Sequence, residues 1–403
     1  MKSKLTNNEI KFIMSFGKMP LANKFLSKND FDKEKFYNMD VGFDEKVSLF
    51  QLLNTPEPED MFDENYAFFS STSNYMQKHF FDYSEFLKKN YLNRASKNKI
   101  IEIGCNDGIM LQNFKNENLQ HLGVEPSKNV YLEAKKKNLD LVNEFFSKAF
   151  CENLKEFIGK TNIVYAANVI CHIPNLYDLF SGIDLLLEKK GVFVFEEPYL
   201  GDVLRLTSYD QIYDEHVYLF SLTSIKNICK IFDLELINAL EQPTHGGSMR
   251  YVVGRKGVHE INKNVKKLLH QENLLKMDNF ETYKIFKINC EKSRERLLKV
   301  IYDLKNDKKK ISGYAATSKS TTILNYCNID SKLIDQIYDT TPIKFGKFSP
   351  GKHIPIRDYK HFLEDKPDVS LLFGWNHKNE IFSKEKNYIK NGGKWISHIE
   401  NLL

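Results

Sequence analysis

The spacing of apolar residues divides the chain into zones with different periods. Between residues 74 and 93, Met76, Phe80, Tyr83 and Leu87 recur every three or four positions, which places them on one side of a predicted helix. From Lys99 the pattern becomes short apolar runs separated by amphipathic stretches. KIIEIG (99–104), HLGVEP (121–126), DLV (140–142), NIVYAANVI (162–170) and GVFVFEEP (191–198) read as strands. MLQNFKN (110–116), NVYLEAKKKN (129–138), CENLKEFIG (151–159) and YDLFSGIDLLLEKKG (177–191) read as helices, the last expected to stop at Gly191 as its cap. Strands and helices alternating at this interval predict a parallel, doubly wound sheet with its ligand site at the strands' C-terminal ends.

Residues 262–309 are charged and helical in period, a candidate lever or oligomer face. Beyond them KKISGYAATSKSTTILNYCNI repeats the order strand, turn, helix, and LIDQIYDTTP, VSLLFGWN and KWISHI read as further strands. The first 90 residues are mixed and Phe-rich, broken by Pro20, Pro56 and Pro58, with PEPEDMFDENY a loop entering a helix. The fold class expected is therefore α/β, in three domains: a small mixed one at residues 1–73, a central Rossmann-like one at 74–260, and a C-terminal Rossmann-like one at 261–403.

Composition narrows this picture. A chain of 403 residues exceeds one ordinary domain, and 42% hydrophobic with 28% charged residues suits a globular enzyme. No segment approaches the roughly 20 apolar residues of a membrane span, and MKSKLTNNEIKF lacks an apolar signal core, so a cytoplasmic protein without a membrane partner is expected. The net charge of +5 is spread out, its densest basic run only residues 308–310. That suits an anionic small substrate, and no aromatic-basic pattern marks a nucleic-acid module. Cys105, Cys151, Cys171, Cys229, Cys290 and Cys327 never form CxxC and read as free buried thiols.

The cofactor signal is Glu102-x-Gly104-x-x-x-Gly108, directly after an apolar strand, followed by Glu125 at the end of the next. Glycines let the backbone turn and approach a ligand, and an acid at that second position suits two ribose hydroxyls. A dinucleotide turn would need Gly at 106, where Asn106 stands. S-adenosylmethionine carries no phosphate, and its ammonium and sulfonium charges favour Glu102, Asp107 and Glu125. Asn143 and Phe145 follow the third strand, where an adenine can be edged and stacked, and Asn168 and His172 follow the fourth. An ordinary strand-turn-helix would carry the same glycines.

Several strings together resemble one family. They are FGKMPLANKFL, FQLL and YAFFSSTS near the start; EIGCNDG, NVICHIP, EEPYLGD and YDEHVYLFSL in the middle; HGGSMR, GYAATSKSTTILNYC and KFGKFSPGKHIPI towards the end. In this order they resemble the sugar C-methyltransferases that act on nucleotide-linked 4-keto-deoxysugars. The resemblance implies an N-terminal zinc domain, a central class I methyltransferase domain, and a C-terminal Rossmann-like domain, with the nucleotide-sugar held between the last two. It also implies a His that removes the proton α to a ketone. The chain departs from the family at the zinc. No Cys precedes Cys105, Asp44, Glu45 and Lys46 stand near the second expected pair, and the first 78 residues contain neither Cys nor His. Structural zinc wants thiolates or imidazoles, so no metal is expected.

Removing an α-proton needs a base of pKa near the working pH, and His216 is the candidate. Tyr213 is a candidate donor to the developing enolate oxygen, and Glu215 a candidate orienting or sugar-contacting group. His245 and Arg250 flank a Gly turn suited to a sugar or phosphate. Tyr314, Ser318, Lys319 and Ser320 mark an anion site for a diphosphate at a helix start. Lys344, Lys347 and His353 belong to a loop that closes the site or is solvated surface, and Tyr66, Ser70 and Ser71 edge the site from the N-terminal domain. The rival readings are an N- or O-methyltransferase acting on a sugar and a non-catalytic member of a sugar-modification complex; homo-oligomerisation is also open.

Overall fold

The computed structural model describes residues 2–3, 5–62, 70–72, 74–92, 97–115 and 119–399. Its first sheet is antiparallel: β1 (Lys11–Pro20), β2 (Phe36–Asp44) and β3 (Leu49–Leu52) pair in chain order. Ile13, Met14, Phe16 and Met19 of β1 are buried, but the register slips between Phe12 and Met14 and again between Ser15 and Lys18. These irregularities break the two-residue alternation that would mark a strand. Near the position expected for the second zinc pair, the buried Asp44 carboxylate accepts the Thr6 hydroxyl at 2.5 Å and the Lys46 amide at 3.0 Å. Lys11 pairs with Glu45 at 2.6 Å beside it.

The second sheet is built from β4 (Asn98–Ile103), β5 (Leu119–Val124), β6 (Leu141–Val142), β7 (Thr161–Ala167), β8 (Leu187–Pro198), and, after the two-residue strand β9 (Tyr218–Leu219), β10 (Leu234–Gln242) and β11 (Ser248–Arg255). The order is β6-β5-β4-β7-β8-β11-β10. Strands β4 to β8 are parallel, and β11 inserts antiparallel between β8 and β10. Burial on both faces explains their near-continuous apolar runs. Strand β9 leaves this sheet and pairs with β3, so the first sheet is completed from the middle of the chain.

Three predicted helices are corrected. MLQNFKN forms only a 3-10 turn at Leu111–Phe114. The helix expected at 151–159 is Lys148–Asn153, capped by Ser147, whose side chain accepts from the Phe150 amide. The helix expected to end at Gly191 is Leu176–Leu186, and Leu187 is already extended and opposite Thr161. Gly191 lies within β8, where an added Cβ would collide with the Thr161 carbonyl.

The third sheet is parallel throughout, in the order β14-β13-β12-β15-β16. Its strands are β12 (Ile311–Tyr314), β13 (Ile337–Asp339), β14 (Ile356–Asp358), β15 (Val369–Leu372) and β16 (Lys394–Ile396). The long helix Phe280–Asn306 joins it to the first sheet. Its buried Tyr283 ring lies 4.2 Å from that of Phe43, and Leu297 and Ile301 share one core with Ile311 and Ile337. One side of the charged stretch read as a lever or oligomer face thus braces two sheets, while Ile285, Ile288 and Tyr302 on the same helix are exposed. Among the described residues no helix is long and apolar enough to cross a membrane, and the six cysteines are free and buried.

Candidate active site

The loop after β4 takes left-handed conformations at Gly104, Asn106 and Gly108. At Gly104 the conformation is required twice over, since an added Cβ would also collide with Val169. The Asn106 amide donates to Glu125 Oε2 at 2.9 Å and the Ser127 amide to Oε1 at 2.8 Å, fixing the acid that ends β5. Burial pushes the Glu125 carboxyl up to about 7. The Ser70 amide donates to Asn106 Oδ1 at 3.0 Å and the Ser71 amide to Asp107 Oδ2 at 3.1 Å, so the N-terminal segment covers this loop as expected of Ser70 and Ser71. Tyr66 lies outside the described residues.

Around this loop opens a cleft of about 750 Å³, a size typical of small-molecule sites. It is lined by Gly104, Asn106, Glu125, Phe145, Asn168 and His172 of the second sheet's loops, by Tyr213, Glu215, His216 and His245, and by Ser318, Lys319, Asp339 and Lys344 of the third sheet's loops. Asp107 Oδ1 and Asn168 Oδ1 are buried acceptors with no hydrogen-bond partner among the described residues. The unmet Asn168 acceptor, the Glu125 carboxylate and the exposed Phe145 ring, all lining the cleft, fit a ligand bearing an ammonium group, a ribose and an adenine.

His216 is buried, and its Nδ1 lies 2.7 Å from the Gln211 carbonyl oxygen. A carbonyl only accepts, so Nδ1 carries the proton. Burial, then the neighbouring His172, draws the imidazole pKa well below 6.5, so the ring is neutral and Nε2 holds a free lone pair. The Tyr213 hydroxyl donates to that lone pair at 2.7 Å. Burial raises the Tyr213 phenol well above 10, keeping it a donor. The Glu215 carboxylate accepts from Asn23 Nδ2 at 2.6 Å. Asp214 accepts the Ala22 amide at 3.1 Å, and Thr321 donates to the Ala22 carbonyl while Thr322 donates to that of Ile212, each at 2.9 Å. The base is therefore held at once from the segment after β1 and from the helix Ser318–Tyr326. Cys171, His172 and His216 have ligand atoms within 4.8 Å of one another, but both His216 nitrogens are already engaged.

Lys319 is buried at the start of the helix Ser318–Tyr326, its ammonium 3.3 Å from the His245 carbonyl, 3.2 Å from Asn376 Oδ1 and 5.0 Å from the centre of the Trp375 ring. Burial draws it down to about 8. Ser320 serves as the N3 partner of the Thr317 capping box. Lys344 donates to the Ala316 carbonyl at 2.7 Å.

Several expected site residues do not line the cleft. Glu102 lies beneath it, accepting the Tyr165 hydroxyl at 3.1 Å, with burial raising its carboxyl far above the usual range. Gly108 makes room for Leu139 and Ala134. Asn143 Nδ2 donates to the Glu125 and Pro126 carbonyls, each at 2.8 Å, and so holds the loop instead of meeting a ligand. Arg250 is buried on Glu196, 2.9 Å away, with its guanidinium 3.8 Å from the centre of the Tyr83 ring. Tyr314 donates to Glu385 at 2.8 Å inside an aromatic cluster, and Lys347 lies off the cleft. His353 also leaves the site, stacking 3.7 Å from Phe31 and pairing with Glu34 at 2.7 Å. Asn23 and Asp339, which the sequence did not single out, do line it.

This fold and cleft define an S-adenosylmethionine-dependent methyltransferase. Residues 75–239 match the family described as a methyltransferase domain, and residues 243–399 match the C-methyltransferase C-terminal domain. The chain is a C-methyltransferase, similar to C-methyltransferase NovU of Streptomyces niveus, with 27% identity over 95% of this chain and 91% of that protein. Solved structures with partial likeness include PH0226 protein from Pyrococcus horikoshii OT3 (13% identity, TM-score 0.36, 47% of this chain and 95% of that one). Another is magnesium protoporphyrin IX methyltransferase from Synechocystis PCC 6803 with bound SAM (14% identity, TM-score 0.33, 45% of this chain and 79% of that one).

Proposed function

We propose that the acceptor is a carbon next to a ketone in a nucleotide-diphosphate deoxysugar. The observation that carries this reading is the neutral His216, its tautomer set by Gln211 and its Nε2 lone pair capped only by Tyr213. S-adenosylmethionine, when bound, supplies an electrophilic methyl group. Glu125, Asn168 and Phe145 hold it on one side of the cleft. On the other side Lys319 and Lys344 offer cationic groups to a diphosphate. The sugar then lies in the middle, against Tyr213, Glu215 and His216.

His216 Nε2 takes the α-proton while the ketone oxygen gains charge. A buried imidazolium is costly alone, and the adjacent enolate charge offsets that cost as the proton moves. Tyr213, displaced from Nε2 by the substrate, turns its hydroxyl to the enolate oxygen. A hydroxyl or amine acceptor would need no such carbon acid chemistry. The distinguishing experiment incubates a nucleotide-linked 4-keto-deoxysugar with the protein in D₂O and S-adenosylhomocysteine. Exchange of the α-hydrogen, seen by NMR and lost in His216→Ala, supports carbon activation. Absence of exchange, with methyl transfer to oxygen or nitrogen once S-adenosylmethionine replaces S-adenosylhomocysteine, would sink it.

A further inference from the structure

The acid clasp around Glu125 occurs a second time in this cleft. Asp339 ends β13, as Glu125 ends β5, and each strand lies parallel to the one that opens its sheet unit. The Ala316 amide, from the loop after β12, donates to Asp339 Oδ2 at 2.7 Å, and the Thr341 amide, two residues beyond the acid, donates to Oδ1 at 2.7 Å. At Glu125 the donors are Asn106, from the loop after β4, and Ser127, again two residues beyond the acid. Both loops include left-handed residues, Ala315 in one and Asn106 in the other. Both carboxylates are almost fully buried, 6% and 5% exposed, and both line the cleft.

An ionised carboxylate offers about four acceptor positions. Two are taken by backbone amides, which leaves acceptor capacity on the cleft side. The chemistry that such a clasp recognises at the end of a second parallel strand is a pair of sugar hydroxyls on a nucleoside. The two clasps differ in surrounding charge. Beside Glu125 stand Asp107 and unmet acceptors, suited to a cation. Near Asp339 stands Lys344, 3.9 Å away, and Lys319 lines the same cleft, both suited to phosphates.

We propose that Asp339 binds the furanose hydroxyls of the nucleoside diphosphate that carries the acceptor sugar, making a second nucleoside site opposite the methyl-donor site. This rests on the nucleotide-linked reading of the acceptor. Asp339→Asn keeps the shape of the carboxylate and removes its charge.

The test is calorimetric binding of ADP, CDP, GDP, UDP and thymidine diphosphate to the full-length protein saturated with S-adenosylhomocysteine. At least one diphosphate is expected to bind, and Asp339→Asn should weaken the best of them roughly 10- to 100-fold, as expected for lost charged hydrogen bonds, while S-adenosylhomocysteine binding is unchanged. Because the Asp339 carboxylate also orders its own loop, a second measurement leaves the protein intact. The 2′,3′-dideoxy form of the best diphosphate should bind the unmodified enzyme at least 10-fold more weakly. Equal affinity of the dideoxy form overturns the clasp and leaves the nucleotide-linked reading standing. Failure of every diphosphate to bind overturns both.

Discussion

The Tyr213 hydroxyl and His216 Nε2 face each other across 2.7 Å, with the proton on the tyrosine and the lone pair on the histidine. Each group's function needs the other displaced. His216→Ala is expected to lower turnover by about 10²- to 10⁴-fold, as for a lost general base. Tyr213→Phe leaves the base free and removes a donor to the enolate, a loss of about 10²-fold. Calorimetry with S-adenosylhomocysteine should show unchanged affinity in both, since neither residue touches the Glu125 clasp.

His216 also sets a pH expectation. Its pKa lies well below 6.5, so the base form persists as the solution is acidified. The acid limb of kcat/KM should therefore fall below pH 6.5, and ¹⁵N shifts of the imidazole at pH 6 should still show protonation at Nδ1 alone. An imidazolium signal at pH 6 would contradict the assignment.

Glu125 titrates in the opposite sense. Burial raises it to about 7, so near that pH it is part protonated before a cationic ligand arrives. Binding S-adenosylmethionine favours the carboxylate and releases a proton. Affinity should rise between pH 6 and 8, and heats of binding should depend on the buffer's ionisation enthalpy. Glu125→Gln should abolish that dependence and weaken binding.

The alternation of strand and helix in the second and third sheets was legible because parallel strands are buried on both faces and leave uninterrupted apolar runs. The first sheet was not legible. Bulges interrupt β1, and its fourth strand is two residues contributed at Tyr218–Leu219. Around the site, Glu125 and His216 were readable from their places after strands. Arg250 misled because the turn at Gly246 and Gly247 lies near the cleft, whereas position 250 is already inside β11 and faces Tyr83. Asn23 was invisible since its partner Glu215 lies 192 residues away.

That misplacement yields a distinct expectation for Arg250. Truncating it leaves Glu196 buried with His79 and Thr244 as its side-chain partners among the described residues. Arg250→Ala should cost roughly 3–5 kcal/mol of stability, as for a broken buried ion pair. Thermal unfolding should reveal the loss, while the KM for substrate of the folded fraction stays near that of the parent.

Asn23 tests whether the segment after β1 takes part in chemistry. Asn23→Ala removes the 2.6 Å hydrogen bond to Glu215 and should lower kcat/KM about 10-fold with little change in melting temperature. The first sheet should be indifferent to chelators. With no Cys or His in the first 78 residues of the chain, treatment with EDTA is expected to leave the melting temperature unchanged.

Thr321 and Thr322 bond to carbonyls 299 and 110 residues earlier in the chain. Neighbouring hydroxyls on one helical turn thus tie down both the loop that steadies Glu215 and the segment that bears His216. A shift of that one turn would carry both segments with it, so the spacing between the sugar-facing carboxylate and the base is set by a single rigid body and not by two loops adjusting separately.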